Sequence, residues 1–148
     1  MGRHGVHQLR FRHLDHSAPE LRPNDRVSEI GFGSGVLIQR VAAVEACVAG
    51  VDLSQEMGEQ ARARNAGAMP SRRVDLRRGS VESLPYDRNA FGAALAINSF
   101  QVWQNAIVGL REVHRVMNSN GRIALGFTPY FVTVKEGADG NSCDCGLH

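Results

Sequence analysis

The fold is decided by residues 27–35, which read VSEIGFGSG. The strand candidate RVSEI at 26–30 leads into glycines at alternate positions, and an amphipathic run begins at Val36. Glycines let the chain turn tightly and let a ligand press against bare backbone. A strand, a glycine-rich turn and a helix in this order are typical of nucleotide binding. We therefore predict a strand at 26–30, a ligand-binding turn, and a helix from 36 to about 45.

An acid at the end of the second predicted strand narrows the choice of ligand. That strand covers 47–51 and ends at Asp52, about twenty residues after the turn, where a carboxylate can accept two hydrogen bonds from ribose hydroxyls. The third glycine of a dinucleotide fingerprint would stand at position 36, which is Val36 here. Glu29 precedes the first glycine by two residues and is an awkward neighbour for a pyrophosphate. A ligand that carries an ammonium group and a sulfonium tolerates this carboxylate.

The rest of the chain alternates short β-branched runs with amphipathic stretches, a pattern that predicts βαβ units and a parallel sheet. A second helix is predicted from its N-cap Ser54 to about Asn65. Three further strands are predicted at 74–76, 91–98 and 122–127, and one more short strand at 130–134.

A last helix is predicted between the fourth and fifth strands. Its apolar residues recur at helical spacing and are Trp103, Ile107, Leu110, Val113 and Met117. The opposite face is predicted to carry Arg111, Glu112 and Arg115. The turn Asn120-Gly121 then leads into the fifth strand. Because of its helical register, we expect Trp103 to pack in the core rather than to line a substrate pocket.

The composition is that of one ordinary globular domain. The chain has 148 residues, of which 43% are hydrophobic and 22% charged, and its net charge is +2. Such a small charge favours neither nucleic acid nor an anionic membrane as a partner, and no apolar run approaches the roughly 18 residues of a spanning helix. The arginine- and histidine-rich start of the chain does not read as a signal peptide. Three cysteines without a framework spacing favour a reducing, cytoplasmic setting.

Three groups of side chains have competing interpretations. Pairs of arginines occur at 72–73 and 77–78. They could bind phosphate or RNA. We favour the alternative, that their charge prevents aggregation through the edge of the sheet. Cys143, Cys145 and His148 lack the spacing of a built metal site, so no metal is expected. The N-terminal histidines are interpreted as solvated, with a general base among them as the alternative.

Four segments carry a family resemblance. They are 29–35, 50–57 (GVDLSQEM), 84–91 (LPYDRNAF) and 111–122 (REVHRVMNSNGR). In this order and spacing they resemble motifs of class I S-adenosylmethionine-dependent methyltransferases. The likeness is to the small-molecule branch, similar to the enzymes of ubiquinone and menaquinone biosynthesis, and it covers about residues 20–128.

The resemblance implies a fold, a cofactor and a reaction. The fold is α/β, a Rossmann-like doubly wound sheet, mostly parallel, with five secure strands in the order 3-2-1-4-5. The cofactor is S-adenosyl-L-methionine, and the reaction is in-line transfer of its methyl group to an O, N, C or S atom of a small-molecule acceptor. The segment after strand four, 98–101, lacks the motif of enzymes that methylate amino groups of DNA.

The resemblance also implies a set of cofactor-binding residues and assigns no catalytic one. The set is Glu29, Gly31, Phe32, Gly33, Gly35, Asp52, Leu53, Met57, Ser80, Val81 and Asn98. In this scheme the glycine turn lies against the methionine part and the ribose, and Glu29 faces the ammonium group. Asp52 binds the ribose hydroxyls, Leu53 lies against the adenine, and Asn98 sits beside the transferred methyl. Ser80 replaces an acid that, with a small residue, often reads the adenine edge in this family.

The predicted domain organisation is an arm at 1–20, the methyltransferase domain at 21–134 and a disordered tail at 135–148. A complete fold of this type has seven strands in the order 3-2-1-4-5-7-6, so the terminal hairpin is missing or incomplete. We expect the edge of strand five to be exposed and the domain to form a homodimer there, swap segments, or be marginally stable alone. Three functions stay open: an active small-molecule methyltransferase, a truncated and catalytically silent S-adenosylmethionine-binding module, and an NAD-dependent oxidoreductase.

Overall fold

The computed structural model describes residues 20–126 and 131–134. The predictions for the histidine-rich arm and for the tail with Cys143 and Cys145 lie outside these residues. The strands are β1 Arg26–Ile30, β2 Cys47–Asp52, β3 Val74–Arg78, β4 Phe91–Ile97, β5 Met117–Gly126 and β6 Phe131–Val134. The helices are α1 Val36–Ala43, α2 Gln55–Arg64 and α3 Ala106–Val116, and short 3-10 turns occur at Met69–Ser71, Val81–Ser83 and Phe100–Val102.

The strands form one sheet in the order β3-β2-β1-β4-β5-β6. Strands β1 to β5 are parallel, which confirms the predicted order 3-2-1-4-5 and the Rossmann-like fold class. The predicted short last strand is present as β6, which is antiparallel to β5 and pairs with its residues Ile123 to Gly126. The prediction of an exposed β5 edge is therefore wrong over these residues, because β6 satisfies their backbone groups. A dimer through this side of the sheet stays a prediction.

Side-chain caps fix where two of the helices begin. Ser54 accepts a hydrogen bond from the Met57 N–H at 3.2 Å, so α2 starts at the predicted N-cap. Asn105 caps α3 in the same way by accepting from the Val108 N–H at 3.1 Å. At the other end of α2, the buried Asn65 donates to the Gly35 carbonyl at 3.1 Å and thereby ties the helix to the glycine turn.

Two hydrophobic clusters lie on the two faces of the sheet, since neighbouring strand residues point to opposite sides. The cluster under α1 and α2 includes Val27, Ile38, Val41, Val48, Ala61 and Leu95. The cluster under α3 includes Ile30, Val51, Phe91, Ala94, Val113 and Val116. Because β1 to β5 are parallel, their carboxyl ends lie at one edge of the sheet, where ligands bind in open α/β sheets.

The register predicted for α3 is wrong in part. The helix begins only at Ala106, and the residues it buries are Gly109, Val113 and Val116. Ile107 is 65% exposed, although it was predicted on the apolar face. The reason is Gly109, where a β-carbon would stand 2.7 Å from the Trp103 ring. Because Gly109 has no side chain, the face of α3 that carries it can pack against Trp103.

The predicted turn at Asn120-Gly121 lies within β5, which begins at Met117. The pairing with β4 moves from Phe91–Met117 to Ala93–Arg122, so the intervening residues form an irregularity in the strand. A β-carbon on Gly121 would stand 2.5 Å from the Met117 side chain. The turn signal was therefore real, but the structure uses it as a bulge and not as the start of the strand.

Candidate functional site

The glycine turn between β1 and α1 has a left-handed backbone at each of its glycines. The φ angles are +74° at Gly31, +55° at Gly33 and +82° at Gly35, a region that favours glycine. The Gly31 N–H donates to the Val51 carbonyl at 2.8 Å, which attaches the turn to the end of β2. The turn is therefore a fixed feature of the carboxyl edge of the sheet.

The three glycines face different surroundings. A β-carbon on Gly31 would stand 2.5 Å from the Cβ of Ser99, and one on Gly35 would stand 2.8 Å from the Cβ of Ala61. A β-carbon on Gly33 would meet nothing within 4 Å. Gly31 and Gly35 thus allow close packing of the protein on itself, whereas Gly33 presents open backbone to the cleft.

Asp52 is oriented by backbone donors at the end of β2. Its Oδ2 accepts from the Gly33 N–H and its Oδ1 from the Ser54 N–H, each at 2.9 Å. A carboxylate oxygen has two lone pairs, so each oxygen can accept one more hydrogen bond. The carboxylate is therefore held against the glycine turn with capacity left for hydroxyl donors on a ligand.

Glu29 lies in β1 beneath this edge, in register with Gly50 of β2 and Leu95 of β4. The residue is 3% exposed, and its Oε2 has no hydrogen-bond partner in the part of the chain that the structure describes. Burial, and to a smaller extent the negative charge of Asp52, raise the pKa of the Glu29 carboxyl well above its usual range. A cationic ligand nearby would favour the ionised form.

A cleft of about 500 Å³ opens at the carboxyl ends of the strands. Its lining comprises Ile30, Gly31, Gly33, Val51, Asp52, Leu53, Gly79, Ser80, Val81, Glu82, Asn98, Ser99, Val102, Trp103 and Gln104. The structure thus brings together Gly31, Gly33, Asp52, Leu53, Ser80, Val81 and Asn98 from the predicted set.

Four members of the predicted set do not line the cleft. Glu29 is buried beneath it, and Gly35 packs α1 against α2. Phe32 is 4% exposed and belongs to the core cluster under α1 and α2, where the missing side chain of Gly50 leaves room for its ring. Met57 lies in the first turn of α2, where its N–H completes the Ser54 cap.

Sequence reasoning missed three polar residues of the cleft, Glu82, Ser99 and Gln104, and misjudged one aromatic residue. Ser99 is buried and donates from its hydroxyl to the Ile30 carbonyl at 2.6 Å, so it fixes the entry to the glycine turn. Glu82 follows Ser80, whose hydroxyl accepts from the Glu82 N–H at 3.1 Å. Trp103 packs edge-on against Phe100, with ring centroids 4.9 Å apart, and also lines the cleft. The contact of Ser99 with Ile30 depends on a tertiary approach and has no local sequence signal, whereas the contacts of Glu82 with Ser80 and of Trp103 with Phe100 are local.

A partly buried ion pair on α3 connects two of the four motif segments, 84–91 and 111–122. The Glu112 carboxylate accepts from Arg115 at 2.8 Å and from the Leu84 N–H at 2.8 Å. Arg115 also donates to the carbonyls of Leu84 and Tyr86 at 2.9 and 2.8 Å. The hydrogen bond from Arg115, followed by that from Leu84, lowers the pKa of Glu112. Both residues were predicted on the solvent face of α3; they are instead partly buried, because the loop at 84–86 passes over that side of the helix.

Three of the four arginines around β3 contact the protein itself. Arg73 donates to Asn24 at 3.1 Å, Arg77 pairs with Asp75 at 2.8 Å, and Arg78 donates to the Leu53 carbonyl at 3.1 Å. Strand β3 is an edge strand of the sheet. These contacts support the interpretation of the arginines as guards of a sheet edge rather than as a nucleic-acid patch.

The described residues hold neither a metal-ligand cluster nor a membrane-spanning helix. No group of three or more His, Cys, Asp or Glu side chains within them is arranged to hold a metal ion. Within the same residues, no helix has both the length and the apolar character needed to cross a membrane.

Comparisons with known proteins agree with this geometry. A family described as a methyltransferase domain matches residues 28–125. The chain is 27% identical over 108 residues to a ubiquinone/menaquinone biosynthesis C-methyltransferase of Citrifermentans bemidjiense, a match that covers 71% of this chain and 46% of that protein. It spans about half the length of the curated relatives it matches, with 57%, 46% and 44% covered in three of them.

Solved structures share the fold. A proposed S-adenosyl-L-methionine-dependent methyltransferase of Methanococcus maripaludis superimposes with a TM-score of 0.66 at 24% identity, over 71% of this chain and 48% of that one. The [4+2]-cyclase SpnF superimposes with a TM-score of 0.65 at 30% identity, over 70% of this chain and 38% of that one. With the family match to residues 28–125, these likenesses show that the chain belongs to the class I S-adenosylmethionine-dependent methyltransferase family, whose cofactor is S-adenosyl-L-methionine.

Proposed function

We propose that this chain binds S-adenosylmethionine in the carboxyl-end cleft and is the cofactor-binding part of a methyltransferase for a small-molecule acceptor. The observation that carries the proposal is the Asp52 carboxylate, held at 2.9 Å from the N–H of Gly33, whose α-carbon faces open space. A carboxylate beside bare backbone offers acceptors to a ribose and room for the chain attached to it.

The residues of the cleft fit an adenosyl sulfonium compound. Ligand sites in proteins have volumes of roughly 300–1,000 Å³, and this cleft has about 500 Å³. The strand order places β2 between β3 and β1, so a ribose at Asp52 puts the base toward β3 and the methionine part toward β1 and β4. Leu53 and Val81 then offer apolar contacts to the base, and Asn98 at the end of β4 is our candidate for the residue beside the methyl group.

The chain contributes orientation and charge to the proposed reaction. The bound cofactor supplies a methyl group activated by its sulfonium charge. Asp52 fixes the ribose, the glycine turn holds the methionine part, and the Glu29 carboxyl offers a counter-charge once it loses its proton. Aligning the methyl group and excluding water are the protein's main means of accelerating such a displacement.

A small-molecule acceptor is supported by the named C-methyltransferase of ubiquinone and menaquinone biosynthesis among the relatives. A cytoplasmic setting is a proposal that rests on cysteine usage, since the three cysteines lack a disulfide framework.

The second candidate is a module that binds the cofactor without methyl transfer. It is favoured by a structural neighbour named as a [4+2]-cyclase. The third candidate, an NAD-dependent oxidoreductase, has less support because Val36 replaces the last glycine of the dinucleotide fingerprint.

Ligand titration separates these candidates. Trp103 is the sole tryptophan and lines the cleft, so its fluorescence reports ligand binding, with calorimetry as a second readout. We expect saturable binding of S-adenosylmethionine and S-adenosylhomocysteine and none of NAD. Binding of NAD without a response to the sulfur ligands would eliminate the proposal. Release of S-adenosylhomocysteine from S-adenosylmethionine with candidate quinol acceptors then separates an enzyme from a silent module.

A further inference from the structure

A second cavity lies at the amino ends of the strands, on the side of the sheet that α3 covers. Its volume is about 660 Å³, within the roughly 300–1,000 Å³ of ligand sites, and it shares no residue with the carboxyl-end cleft. The described residues between β3 and β4 form a 3-10 turn and a loop and no helix, so this part of the sheet is left open. Cys47 in the cavity begins β2, and Asp52 of the cofactor cleft ends that strand, roughly 16 Å further along.

Positive charge exceeds negative charge in this cavity. The charged residues of its lining are Arg26, Arg72, Arg73, Arg77, Asp75 and Asp87. Arg77 is matched by Asp75, with which it makes a salt bridge at 2.8 Å. The hydrogen bond with Glu112 first, and the charge of Asp87 in addition, raise the pKa of the Arg115 guanidinium, so the Asp87 carboxylate interacts with α3. Three guanidinium charges are therefore left without a matching acid in the lining. We call these three residues, Arg26, Arg72 and Arg73, the arginine rim.

The strand register brings the arginine rim together. Arg26 of β1 is in register with Cys47 of β2. On the other side of β2, Val48 donates from its N–H to the Arg73 carbonyl at 2.7 Å, so Arg73 is the neighbour of Cys47 there. Side chains in register on neighbouring strands point to the same face of a sheet, so Arg26 and Arg73 flank the Cys47 thiol. Arg72, which precedes Arg73, lines the same cavity.

Most donors of the arginine rim are free for a ligand. Arg73 donates through Nη1 to the Asn24 side chain and to the Glu45 carbonyl, which are both neutral groups. Its Nε and Nη2, and the side chains of Arg26 and Arg72, make no hydrogen bond or ion pair with the part of the chain that the structure describes. A guanidinium offers five N–H donors in a fixed fork that matches the oxygens of a phosphate. The rim therefore presents charged donors of the kind that phosphate binding uses.

The cavity also has an apolar floor. Cys47 and Ala49 of β2 form part of it, and both are half-buried. The Tyr86 ring forms one wall, where it packs edge-on against Phe91 with ring centroids 5.0 Å apart and is covered by the Arg77 guanidinium at 5.3 Å. Cations alone suit any small anion. Cations beside an apolar floor and an aromatic wall suit an anion that carries an organic body.

We propose that this cavity binds a small organic phosphate, with the phosphate at the arginine rim and the organic part on the apolar floor. A phosphate monoester carries a charge of about −1.5 to −2 at pH 7 and three acceptor oxygens, so it matches three guanidinium groups better than a single carboxylate does. The chain's net charge of only +2 favours a small ester over a nucleic acid. Because the two cavities share no residue, the inference stands apart from the proposed function.

The probe for this site is 1-naphthyl phosphate, which joins a phosphate to an aromatic body. Calorimetry compares it with inorganic phosphate, which lacks the body, and with 1-naphthol, which lacks the charge. We expect 1-naphthyl phosphate to bind about tenfold more tightly than either, because burial of the rings and charged hydrogen bonds each contribute on that scale. The dissociation constant should be the same with S-adenosylhomocysteine present, since the cofactor cleft is a different cavity.

Substitutions in the arginine rim test its role. Arg26 and Arg72 are exposed, so glutamine at either position should leave the fold intact. Arg26→Gln and Arg72→Gln should each weaken binding of 1-naphthyl phosphate about three- to tenfold, and the double variant by about tenfold or more. Arg40→Gln changes the same charge at an exposed position of α1, outside the cavity, and is the matched control. It should change the dissociation constant by less than about twofold, because salt screens distant charges.

Cys47 gives a readout inside the cavity. Labelling by iodoacetamide is measured at each cysteine by mass spectrometry of peptides. Saturating 1-naphthyl phosphate should slow the labelling of Cys47 severalfold, because the ligand covers the thiol. Cys143 and Cys145, which lie outside the cavity lining, are the reference and should keep their rates.

Several results would overturn the inference. One is absence of binding, or binding that the double variant leaves unchanged. Equal affinity for inorganic phosphate or for 1-naphthol would also do so, because the rim or the floor alone would then account for the binding. Unchanged labelling of Cys47, or competition by S-adenosylhomocysteine, would place the ligand elsewhere. Tighter binding of a short single-stranded RNA, lost in the double variant, would identify a nucleic-acid surface instead.

Discussion

Glu29→Gln tests the energetic cost of the carboxyl group buried beneath the cleft. Glu29 is 3% exposed, and its Oε2 has no partner among the described residues. Burial first, and the charge of Asp52 second, raise the pKa of this carboxyl well above its usual range. A glutamine amide has nearly the same shape and never ionises. The substitution therefore removes the titration while it changes the packing little.

The sign and size of the effect follow from proton linkage. Because the pKa of Glu29 is higher in the folded chain, the unfolded chain loses its proton first as the pH rises. The contribution of this group to stability is fully present below the unfolded pKa of about 4.3 and is lost as the pH rises through the folded pKa. Between the two, the free energy of unfolding falls by up to ~1.4 kcal/mol per pH unit. Glutamine lacks this slope, so the variant should be the more stable protein at neutral pH.

Urea unfolding followed by circular dichroism over a series of pH values measures the slope. The difference in unfolding free energy between Glu29→Gln and the unaltered chain should grow with pH and then level off. The other titrating groups are common to both proteins and cancel, and Glu59→Gln, which is exposed, should show no such growth. Parallel pH profiles for Glu29→Gln and the unaltered chain would mean that the carboxyl titrates normally, and the reasoning from its burial would be refuted.

Further substitutions probe the turn, the ribose contact and the α3 ion pair. Asp52→Ala should weaken binding of S-adenosylhomocysteine by about 1.5–3 kcal/mol in calorimetry, the scale of hydrogen bonds to a charged group, and an unchanged dissociation constant would contradict its role. Gly31→Ala should lower the melting temperature more than Gly33→Ala. Both strain a left-handed backbone by about 1–2 kcal/mol, but only the methyl at position 31 collides with the protein. Arg115→Ala should lower the free energy of unfolding, measured in urea, by about 1.5–3 kcal/mol, because Glu112 and two loop carbonyls lose the hydrogen bonds that Arg115 donates. A change below about 0.5 kcal/mol would argue that the ion pair does not hold the loop on α3.

Much of the fold was predictable because its signals are local. The end of β1 is marked by the glycine turn that begins at Gly31, and the start of α2 is marked by the Ser54 cap. The prediction failed at α3, where periodicity counted apolar residues and gave no weight to Gly109. The buried face of α3 contains Gly109 because the absence of a side chain there leaves space for the Trp103 ring. This contact forms only in the folded chain, so periodicity could not reveal it.

The candidate site divides in the same way. Asp52 and the glycine turn could be predicted, because a strand end and a positive φ leave a mark in the sequence. Ser99 and Glu82 could not, because they enter the cleft from loops whose paths depend on contacts far along the chain. The Ser99 hydroxyl reaches back to the Ile30 carbonyl, 69 residues earlier.

The cleft at the carboxyl ends of the strands is held together by hydrogen bonds between neighbouring elements of the sheet. The turn is bonded to β2 through Gly31 and Asp52, and to the end of β4 through Ser99. The end of β4 is bonded in turn to β5, where the Asn98 N–H donates to the Gly126 carbonyl at 2.6 Å. Each of these bonds lies within the described residues up to Gly126, so the sheet and the turns at its carboxyl end fix the shape of the cleft. Among the described residues we assign none to recognition of the methyl acceptor. We therefore expect that substitutions in the sheet that weaken binding of S-adenosylhomocysteine differ from those that change the choice of acceptor.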